Sequence, residues 1–196
     1  KRRRVLYLTA WNVQAIHEGI VVYAHEAGWI LNNAMCFSGQ IPEDVKPDGL
    51  ICRHSHNPHL LAFAQRLGVP TVGFEDDPRL PMPRVYFDEE AIGVMAARHL
   101  IERGHPTLAF LHLHFTPNQM ARCDGFRREV ERAGRRFVEL APKTQPRTWH
   151  PAPGPAWDWL DERLQEIGTP VGILATNDQI ARPLVDALCA LGYRIP

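Results

Sequence analysis

The chain has no excess of charge of either sign. Lysine and arginine together number 22, aspartate and glutamate also number 22, and the formal net charge at neutral pH is zero. Binding to a nucleic acid backbone requires a surplus of basic side chains. We therefore do not expect this segment to hold DNA itself, and we interpret the basic residues at 1–4 as a solvated approach to the first strand.

Motifs for catalysis are also scarce. The only serines are Ser38 and Ser55, and neither lies in a Gly-x-Ser-x-Gly nucleophile elbow. The turn at 9–12 lacks the glycines that allow a backbone to approach a pyrophosphate, and no His-Glu-x-x-His motif occurs. The sequence thus predicts a protein that is not an enzyme and that uses no cofactor.

Paired cysteines and long apolar runs are absent as well. The four cysteines show no Cys-x-x-Cys spacing and lie mostly in apolar segments, as small buried side chains do in reducing compartments. No apolar run approaches the ~20 residues that a membrane-spanning helix needs, and no signal peptide precedes the first strand. These features predict a cytoplasmic protein without membrane contact.

The chain does contain a regular alternation of strand and helix patterns. Runs of β-branched and aromatic residues are typical of strands, and apolar residues at helical spacing before a glycine are typical of helices. Strands are predicted at 4–10, 29–36, 49–52, 71–74, 85–87, 108–113 and 136–140, and from residue 171. Helices are predicted at 13–27, 60–67, 88–103, 118–133 and 157–167, and after residue 177.

This alternation predicts an α/β fold with parallel sheets and helices on both faces. The strand–helix units are too many for one mononucleotide-binding half, so we expect two Rossmann-like lobes, 1–105 and 106–196, each with its own sheet. A single sheet that contained both 4–10 and 108–113 would contradict this prediction.

Prolines predict two local departures from this pattern. The five prolines within 141–155 predict a long loop before the next helix. Pro183 lies where the helix after Asn177 should already form backbone hydrogen bonds, so the first turn is expected to be distorted or the helix to begin later.

Polar side chains follow the predicted strands, at the edge where open parallel sheets bind small ligands. Carboxylates, amides and arginine pair with hydroxyl groups, and an aromatic ring covers the apolar face of a sugar. The candidate ligand-binding residues at these strand ends are Trp11, Asn12, Arg53, His54, Glu75, Asp76, Asp88, His114, Phe115, Asn177 and Asp178. The alternative, which the sequence leaves open, is that several of them are turn and cap residues chosen for the backbone.

Several histidines near strand ends raise the possibility of a metal site. His54 and His56 form one His-x-His pair, and His112 and His114 form another, a spacing that places both rings on one face of a strand. Zinc uses such pairs. Solvated loop histidines or ligand contacts are the interpretation we favour, so the prediction is no metal site.

Three segments resemble the effector domain of LacI/GalR-type regulators. The segment 171–196 carries an Asn-Asp pair at a strand end, 88–105 is an aspartate followed by a helix that ends in His-Leu and Gly-His, and 122–126 reads Arg-x-x-Gly-Phe. The resemblance implies a periplasmic-binding-protein-like type I fold, here incomplete at its C-terminus. It also implies that Arg122 and the Asn177–Asp178 pair hold the hydroxyl groups of a sugar effector.

Spacing points to one subfamily. Only 37–47 separates the second and third strands, and with a glycine and two prolines inside it a full helix hardly fits. Together with Trp149, ten residues before Trp159, this connection looks like that of the xylose-responsive regulators of the AraC type. The resemblance implies that Trp149 forms an aromatic wall for the sugar, in one cleft with a solvent-accessible Arg122.

We therefore expect the effector-binding domain of a cytoplasmic transcription regulator, which catalyses no reaction and binds a small sugar, with a pentose such as xylose favoured. A homodimer and DNA binding through a domain absent from this chain belong to this hypothesis. The alternatives are a periplasmic-type solute-binding protein for a sugar and a metal-dependent sugar hydrolase that uses the histidines.

Overall fold

The computed structural model of the chain describes residues 1–9, 12–53, 57–74, 82–112, 116–142 and 157–195. They form two compact units, Lys1–Phe87 and Asp88–Pro196, and each has a parallel sheet of its own. The α/β class and the two separate sheets that the alternation predicted are confirmed.

The first unit is a four-stranded sheet whose successive strands are connected by helices. Its elements are β1 (Arg4–Thr9), α1 (Gln14–Glu26), β2 (Ile30–Asn32), α2 (Met35–Ser38), β3 (Gly49–Arg53), α3 (Pro58–Leu67) and β4 (Thr71–Gly73). The strand order is β2-β1-β3-β4, with all neighbours parallel. Thr9 lies opposite Arg53 at the carboxyl ends of β1 and β3, so this edge carries polar side chains as expected.

Two predicted strands of the first unit differ from the structure. The predicted strand 29–36 ends at Asn32, whose side chain accepts a hydrogen bond from the Ala34 amide at 3.1 Å and turns the chain into the single-turn helix α2. The predicted strand 85–87 is wrong, since only an isolated bridge from Gly73 to Arg84 forms. The apolar side chains at 85–87 are exposed, so they have no packing surface that would hold a strand.

The second unit is a three-stranded sheet covered on both faces. Its elements are α4 (Glu89–Glu102), β5 (Thr107–Leu111), α5 (Pro117–Arg132), β6 (Arg136–Leu140), α6 (Asp158–Ile167), β7 (Val171–Ala175) and α7 (Asp178–Ala190). The strand order is β6-β5-β7, again parallel throughout.

Strand β5 is buried on both sides, and its side chains alternate between two cores. Leu108 and Phe110 pack in one core with Phe126 of α5. Ala109 and Leu111 pack in the other core, which residues of α6 and α7 complete. A central parallel strand is mostly apolar for this reason, and β5 is buried at every position and apolar from Leu108 to Leu111.

Helices α4 and α5 lie against each other with almost no side chain between them. A Cβ atom added at Gly93 would lie 2.7 Å from the backbone nitrogen of Phe126, and one added at Gly125 would lie 2.9 Å from the carbonyl carbon of Glu90. Both positions therefore require glycine. The buried face of α4 runs through Gly93 and Ala97, whereas Met95, which the helical spacing placed on the inner face, is exposed.

This packing also moves the boundary between the units. The contacts divide the chain between Phe87 and Asp88, whereas the sequence analysis placed the boundary between 105 and 106. The reason is that α4 packs along α5 and therefore belongs to the second unit.

Pro183 does not disturb the start of α7. The helix begins at Asp178, directly after its cap Asn177, and continues through Pro183 to Ala190. The Asn177 carbonyl accepts hydrogen bonds from the amides of Ile180 and Ala181 at 3.1 and 2.9 Å, so the first turn is closed before the proline. The expectation of a distorted or delayed start is wrong.

The structure also describes the cysteines and the helices that bear on disulfide formation and membrane insertion. Cys52 and Cys123 are buried, Cys36 is partly buried and Cys189 is exposed, and all of them are free thiols. Within the described ranges, none of the helices combines the length and the apolar character needed to span a bilayer.

A buried carboxylate adds an electrostatic tie between the two packed helices. Glu129 of α5 accepts hydrogen bonds from Nε of Arg98 on α4 at 2.8 Å and from Nε of Arg132 at 2.9 Å. The Arg132 and Arg98 guanidinium groups, with their hydrogen bonds to the carboxylate, lower the pKa of Glu129 from its ordinary value to about 2.

We predict that Gly125→Ala destabilises the chain by at least about 2 kcal/mol, because the added methyl group meets the backbone of α4 and forces the helices apart. The matched control is Gly19→Ala in α1, where a Cβ atom meets nothing within 4 Å. This control should be neutral or stabilising, since alanine favours a helix over glycine. Urea unfolding followed by circular dichroism measures both changes. Equal stability of the two variants would show that the glycine contact is not required.

We predict that Glu129→Gln removes part of the pH dependence of stability. The folded pKa of Glu129 lies below the unfolded value, so its contribution is present above the unfolded pKa and is lost as the pH falls towards about 2. The parent chain should therefore lose stability more steeply than the variant over that acidic range. Thermal unfolding at a series of pH values makes the comparison, and superimposable profiles would contradict the assignment.

Candidate functional site

Arg122 of α5 lies in the second unit, where it joins a helix to a strand end. Its Nε donates to Oε2 of Glu89 at 2.8 Å, and its Nη2 donates to the same oxygen. Its Nη1 donates to the backbone carbonyl of Thr176, the residue that follows β7. The guanidinium therefore connects the first turn of α4 with the turn between β7 and α7.

The glycine contact between the helices explains this arrangement. Glu89 lies one turn before Gly93 on the buried face of α4, and its side chain is only 7% exposed. At Gly93 the two backbones touch, which brings the Glu89 carboxylate within reach of α5. A buried carboxylate needs a charged partner with hydrogen bonds, and Arg122 supplies both.

Arg122 is less accessible than the sequence analysis expected. Its side chain is 20% exposed, so the prediction of a solvent-accessible arginine is corrected to a largely buried one. The cause is the ion pair with Glu89, a residue that the sequence analysis did not select. Of the five N–H groups of the guanidinium, three are engaged in these bonds. Among the described residues, one N–H on each terminal nitrogen has no bond and can donate to a ligand.

The strand end after β7 carries the predicted pair Asn177 and Asp178, and both residues are exposed. The Asn177 side-chain oxygen caps α7 by accepting a hydrogen bond from the Ile180 amide at 3.1 Å. Its amide nitrogen can still donate to a ligand. Thr176 is buried, and its hydroxyl has no hydrogen-bond partner among the described residues. Arg122 and Asn177 are thus both adjacent to Thr176, the first through a hydrogen bond and the second along the chain.

The other predicted ligand-binding residues lie at the start of α4, in the first unit, or outside the described residues. Asp88 is exposed and caps α4, its carboxylate accepting from the Ala91 amide at 2.9 Å. Asn12 is exposed after β1, and Arg53 is partly buried at the end of β3, both in the first unit. The positions that lie outside the described residues are Trp11, His54, Glu75, His114 and Trp149, together with His56, Asp76 and Phe115.

In the first unit, an aromatic stack lies beside the carboxyl ends of β1, β3 and β4. The ring of Tyr7, which is fully buried, stacks on His17 at 5.7 Å and on Phe74 at 5.9 Å. The guanidinium carbon of Arg53 lies 5.9 Å from the centre of the Phe74 ring. Burial raises the pKa of Tyr7 above its ordinary value, so this phenol stays protonated at neutral pH. Arg53 therefore sits beside an aromatic surface.

Another group of ionisable side chains lies beneath α5. His112 directly follows β5, Cys123 lies on α5 and Glu139 lies on β6. His112 Nε2 is 3.2 Å from the Cys123 sulfur and 3.8 Å from Oε2 of Glu139. Burial raises the pKa of the Cys123 thiol to about 11 and lowers the pKa of His112. Both groups are consequently neutral at physiological pH. We refer to these three residues as the His112 cluster.

Sequence reasoning missed Glu89, Thr176, Tyr7 and Phe74. A signal for Glu89 exists, because it shares the helical face of Gly93 and Ala97, four and eight residues later. Small residues at that spacing indicate close helix contact, and an acid on such a face needs a basic partner. Thr176 acts through its backbone carbonyl, which no side-chain pattern can reveal.

The family comparison concerns the same part of the chain. A model of the periplasmic binding protein-like domain matches residues 97–196, just over half of the sequence. The chain belongs to this periplasmic binding protein-like family. The match includes Arg122, Thr176 and Asn177. A comparison with curated proteins finds no significant match.

Solved structures of transcription regulators share the fold. The regulator CcpA of Lactococcus lactis is 18% identical with a TM-score of 0.70, and the alignment covers 100% of this chain and 76% of that one. GntR from Chromobacterium violaceum is 26% identical with a TM-score of 0.63, covering 99% and 75%. A periplasmic binding protein/LacI transcriptional regulator from Alkaliphilus metalliredigens QYMF, complexed with D-xylulofuranose, is 17% identical with a TM-score of 0.68, covering 99% and 74%. These likenesses support the type I fold that the resemblance implied.

We predict that Glu89→Gln destabilises the second unit by about 1.5–3 kcal/mol, because it removes the charged acceptor from a largely buried Arg122. Glu90→Gln is the matched control on the same helix turn, since Glu90 pairs with Arg128 and both side chains are at least half exposed. Loss of this exposed pair should cost at most about 1 kcal/mol. Denaturant unfolding gives both values. If Glu90→Gln cost as much as Glu89→Gln, the buried pair would have no special role.

Proposed function

We propose that this chain is the effector-binding domain of a transcription regulator and that its effector is a small sugar. The observation that carries the proposal is that Arg122 and Asn177 both adjoin Thr176 at the carboxyl end of β7, in a chain of the periplasmic binding protein-like family. Open parallel sheets bind small ligands at such strand ends.

The chemistry of this strand end suits neighbouring hydroxyl groups. Arg122 has one N–H left on each terminal nitrogen, and Asn177 has a free amide donor. The exposed carboxylate of Asp178 supplies an acceptor one residue further on. A sugar hydroxyl both donates and accepts, so it can use an arginine N–H and a carboxylate oxygen together. This donor and acceptor set supports a polyhydroxylated ligand.

The finer parts of the proposal rest on the resemblance in the sequence. We assign a pentose such as xylose as effector and the AraC-type xylose-responsive regulators as subfamily. The full set of ligand contacts in this proposal is Trp11, Asn12, Arg53, His54, Glu75, Asp88, His114, Arg122, Trp149, Asn177 and Asp178. The complex structure of the Alkaliphilus protein with D-xylulofuranose shows a five-carbon sugar bound by a protein of this fold.

Regulation in this proposal is a linkage between effector and DNA. The chain forms a homodimer in the cytoplasm, and DNA binds to a separate domain of the same regulator. An effector changes DNA affinity only by binding the two states of the protein with different affinities. The chain carries no net charge, so it has no basic surplus for DNA, which fits DNA binding by a separate domain.

The full-length gene product and its activity distinguish the proposed function from the alternatives. A helix-turn-helix domain encoded in the same open reading frame supports the regulator. An export signal in that reading frame supports a periplasmic-type solute-binding protein for a sugar. Turnover of a sugar substrate by the purified protein would support the metal-dependent hydrolase and would end the proposal of a sensor without catalysis.

We predict that a thermal-shift screen of pentoses and hexoses identifies a sugar that raises the melting temperature, since a ligand that binds only the folded state stabilises it. Calorimetry with that sugar should then show that Arg122→Lys weakens binding roughly tenfold or more, because lysine keeps the charge beside Glu89 but loses the planar fork. Lysine is preferred to alanine here, because alanine would leave the buried Glu89 carboxylate without a partner.

The control for this measurement is Arg128→Lys. Arg128 lies on the same helix, but its side chain is 60% exposed and pairs with Glu90. Its replacement should leave sugar affinity unchanged. The site assignment fails if Arg122→Lys binds the sugar as tightly as the parent chain while both fold equally well.

A further inference from the structure

The His112 cluster brings together three side chains that commonly bind metal ions. His112 directly follows β5, Cys123 lies on α5 and Glu139 lies on β6, and each offers one ligand atom. These three atoms lie within 4.8 Å of one another, and within the described part of the chain this is the group of metal-binding side chains that meets that spacing. The sequence analysis considered His112 only with His114, and the structure pairs it instead with residues far along the chain.

The atoms and their spacing fit a tetrahedral zinc centre. Zinc binds cysteine sulfur, histidine nitrogen and carboxylate oxygen at about 2.0–2.3 Å, which places neighbouring ligands about 3.3–3.6 Å apart. The nitrogen of His112 lies 3.2 Å from the sulfur of Cys123 and 3.8 Å from the carboxylate oxygen of Glu139. These two distances lie within a few tenths of an ångström of the zinc spacing, and all three atoms lie within 4.8 Å of one another, so the ligands need to close only the remaining gap.

The guanidinium of Arg127 lies beside the same three side chains and would compete with a metal ion for them. Its Nη2 pairs with Glu139 and lies 4.0 Å from the Cys123 sulfur, so a guanidinium supplies the positive charge that an ion would supply. The same Nη2 lies 3.8 Å from Oδ1 of Asp124. Arg127 thus has a second carboxylate to which it can turn. Its side chain is 34% exposed, so the movement does not require the core to open.

We propose that His112, Cys123 and Glu139 bind a thiophilic divalent cation such as zinc, with Arg127 turning from Glu139 to Asp124. The Cys123 thiol gives its proton to solvent as the sulfur–metal bond forms, and no electron is transferred. Water occupies the fourth position beside Glu139, whose side chain is 39% exposed. The ion would tie the ends of β5 and β6 to α5, the helix that carries Arg122. This metal site goes beyond the proposed sugar site and does not depend on it.

Titration of the purified chain with Co²⁺ tests the site, because a cobalt–thiolate bond produces a near-ultraviolet charge-transfer band that histidine or carboxylate ligands do not. We expect one equivalent of Co²⁺ to produce the band and Zn²⁺ to abolish it. Cys123→Ser should remove the band, whereas Cys189→Ser, at an exposed cysteine, should retain it. A band that survives Cys123→Ser, or cobalt binding without the band, would overturn the proposal.

Two further variants keep the test decisive if Cys123→Ser does not fold. Glu139→Gln, at a partly exposed position, should weaken cobalt binding by roughly tenfold or more, since it removes one ligand. Arg127→Gln should strengthen it, because the competing cation is gone. If Arg127 only pairs with the cluster and no metal ion can replace it, neither the parent chain nor Arg127→Gln should show a cobalt band. That result would also overturn the proposal.

Discussion

The second unit depends on the direct contact between the backbones of α4 and α5. At Gly93 and Gly125 the helices are so close that no side chain fits between them. The position of Glu89 beside Arg122 follows from this distance. Glu89 comes within reach of Arg122, the pair becomes largely buried, and the guanidinium is left with its third bond directed at the end of β7. The glycine of the Arg-x-x-Gly-Phe sequence is thus required by helix packing, and the arginine of the same sequence is positioned by it.

Much of the fold could be predicted from the sequence because its pattern is local. β6 has the predicted bounds, and β5 is apolar from Leu108 to Leu111 because both of its faces are covered. The failures have a common physical cause. Whether an apolar residue is buried depends on what packs against it, so Met95 and the run at 85–87 look like core residues in the sequence and are exposed in the structure.

The sequence identified two residues of the candidate site, but it could not identify the residues with which they interact. Arg122 and Asn177 stand out from motif and strand-end position, and the structure places them beside one residue, Thr176. The partner of Arg122 could not be predicted in this way, since Glu89 lies 33 residues earlier and on another helix. For the same reason the His112 cluster, assembled from three elements, has no sequence motif. The expectation that these residues bind a sugar came from the family resemblance alone.

The ion pair between Glu89 and Arg122 has a mechanical consequence. Glu89 is the second residue of the second unit, directly after Asp88, where the chain passes from one unit to the other. Through Arg122 the same carboxylate is joined to the Thr176 carbonyl that follows β7. One guanidinium thereby holds together the first turn of α4, helix α5 and the strand end after β7, at the point where the chain enters the second unit.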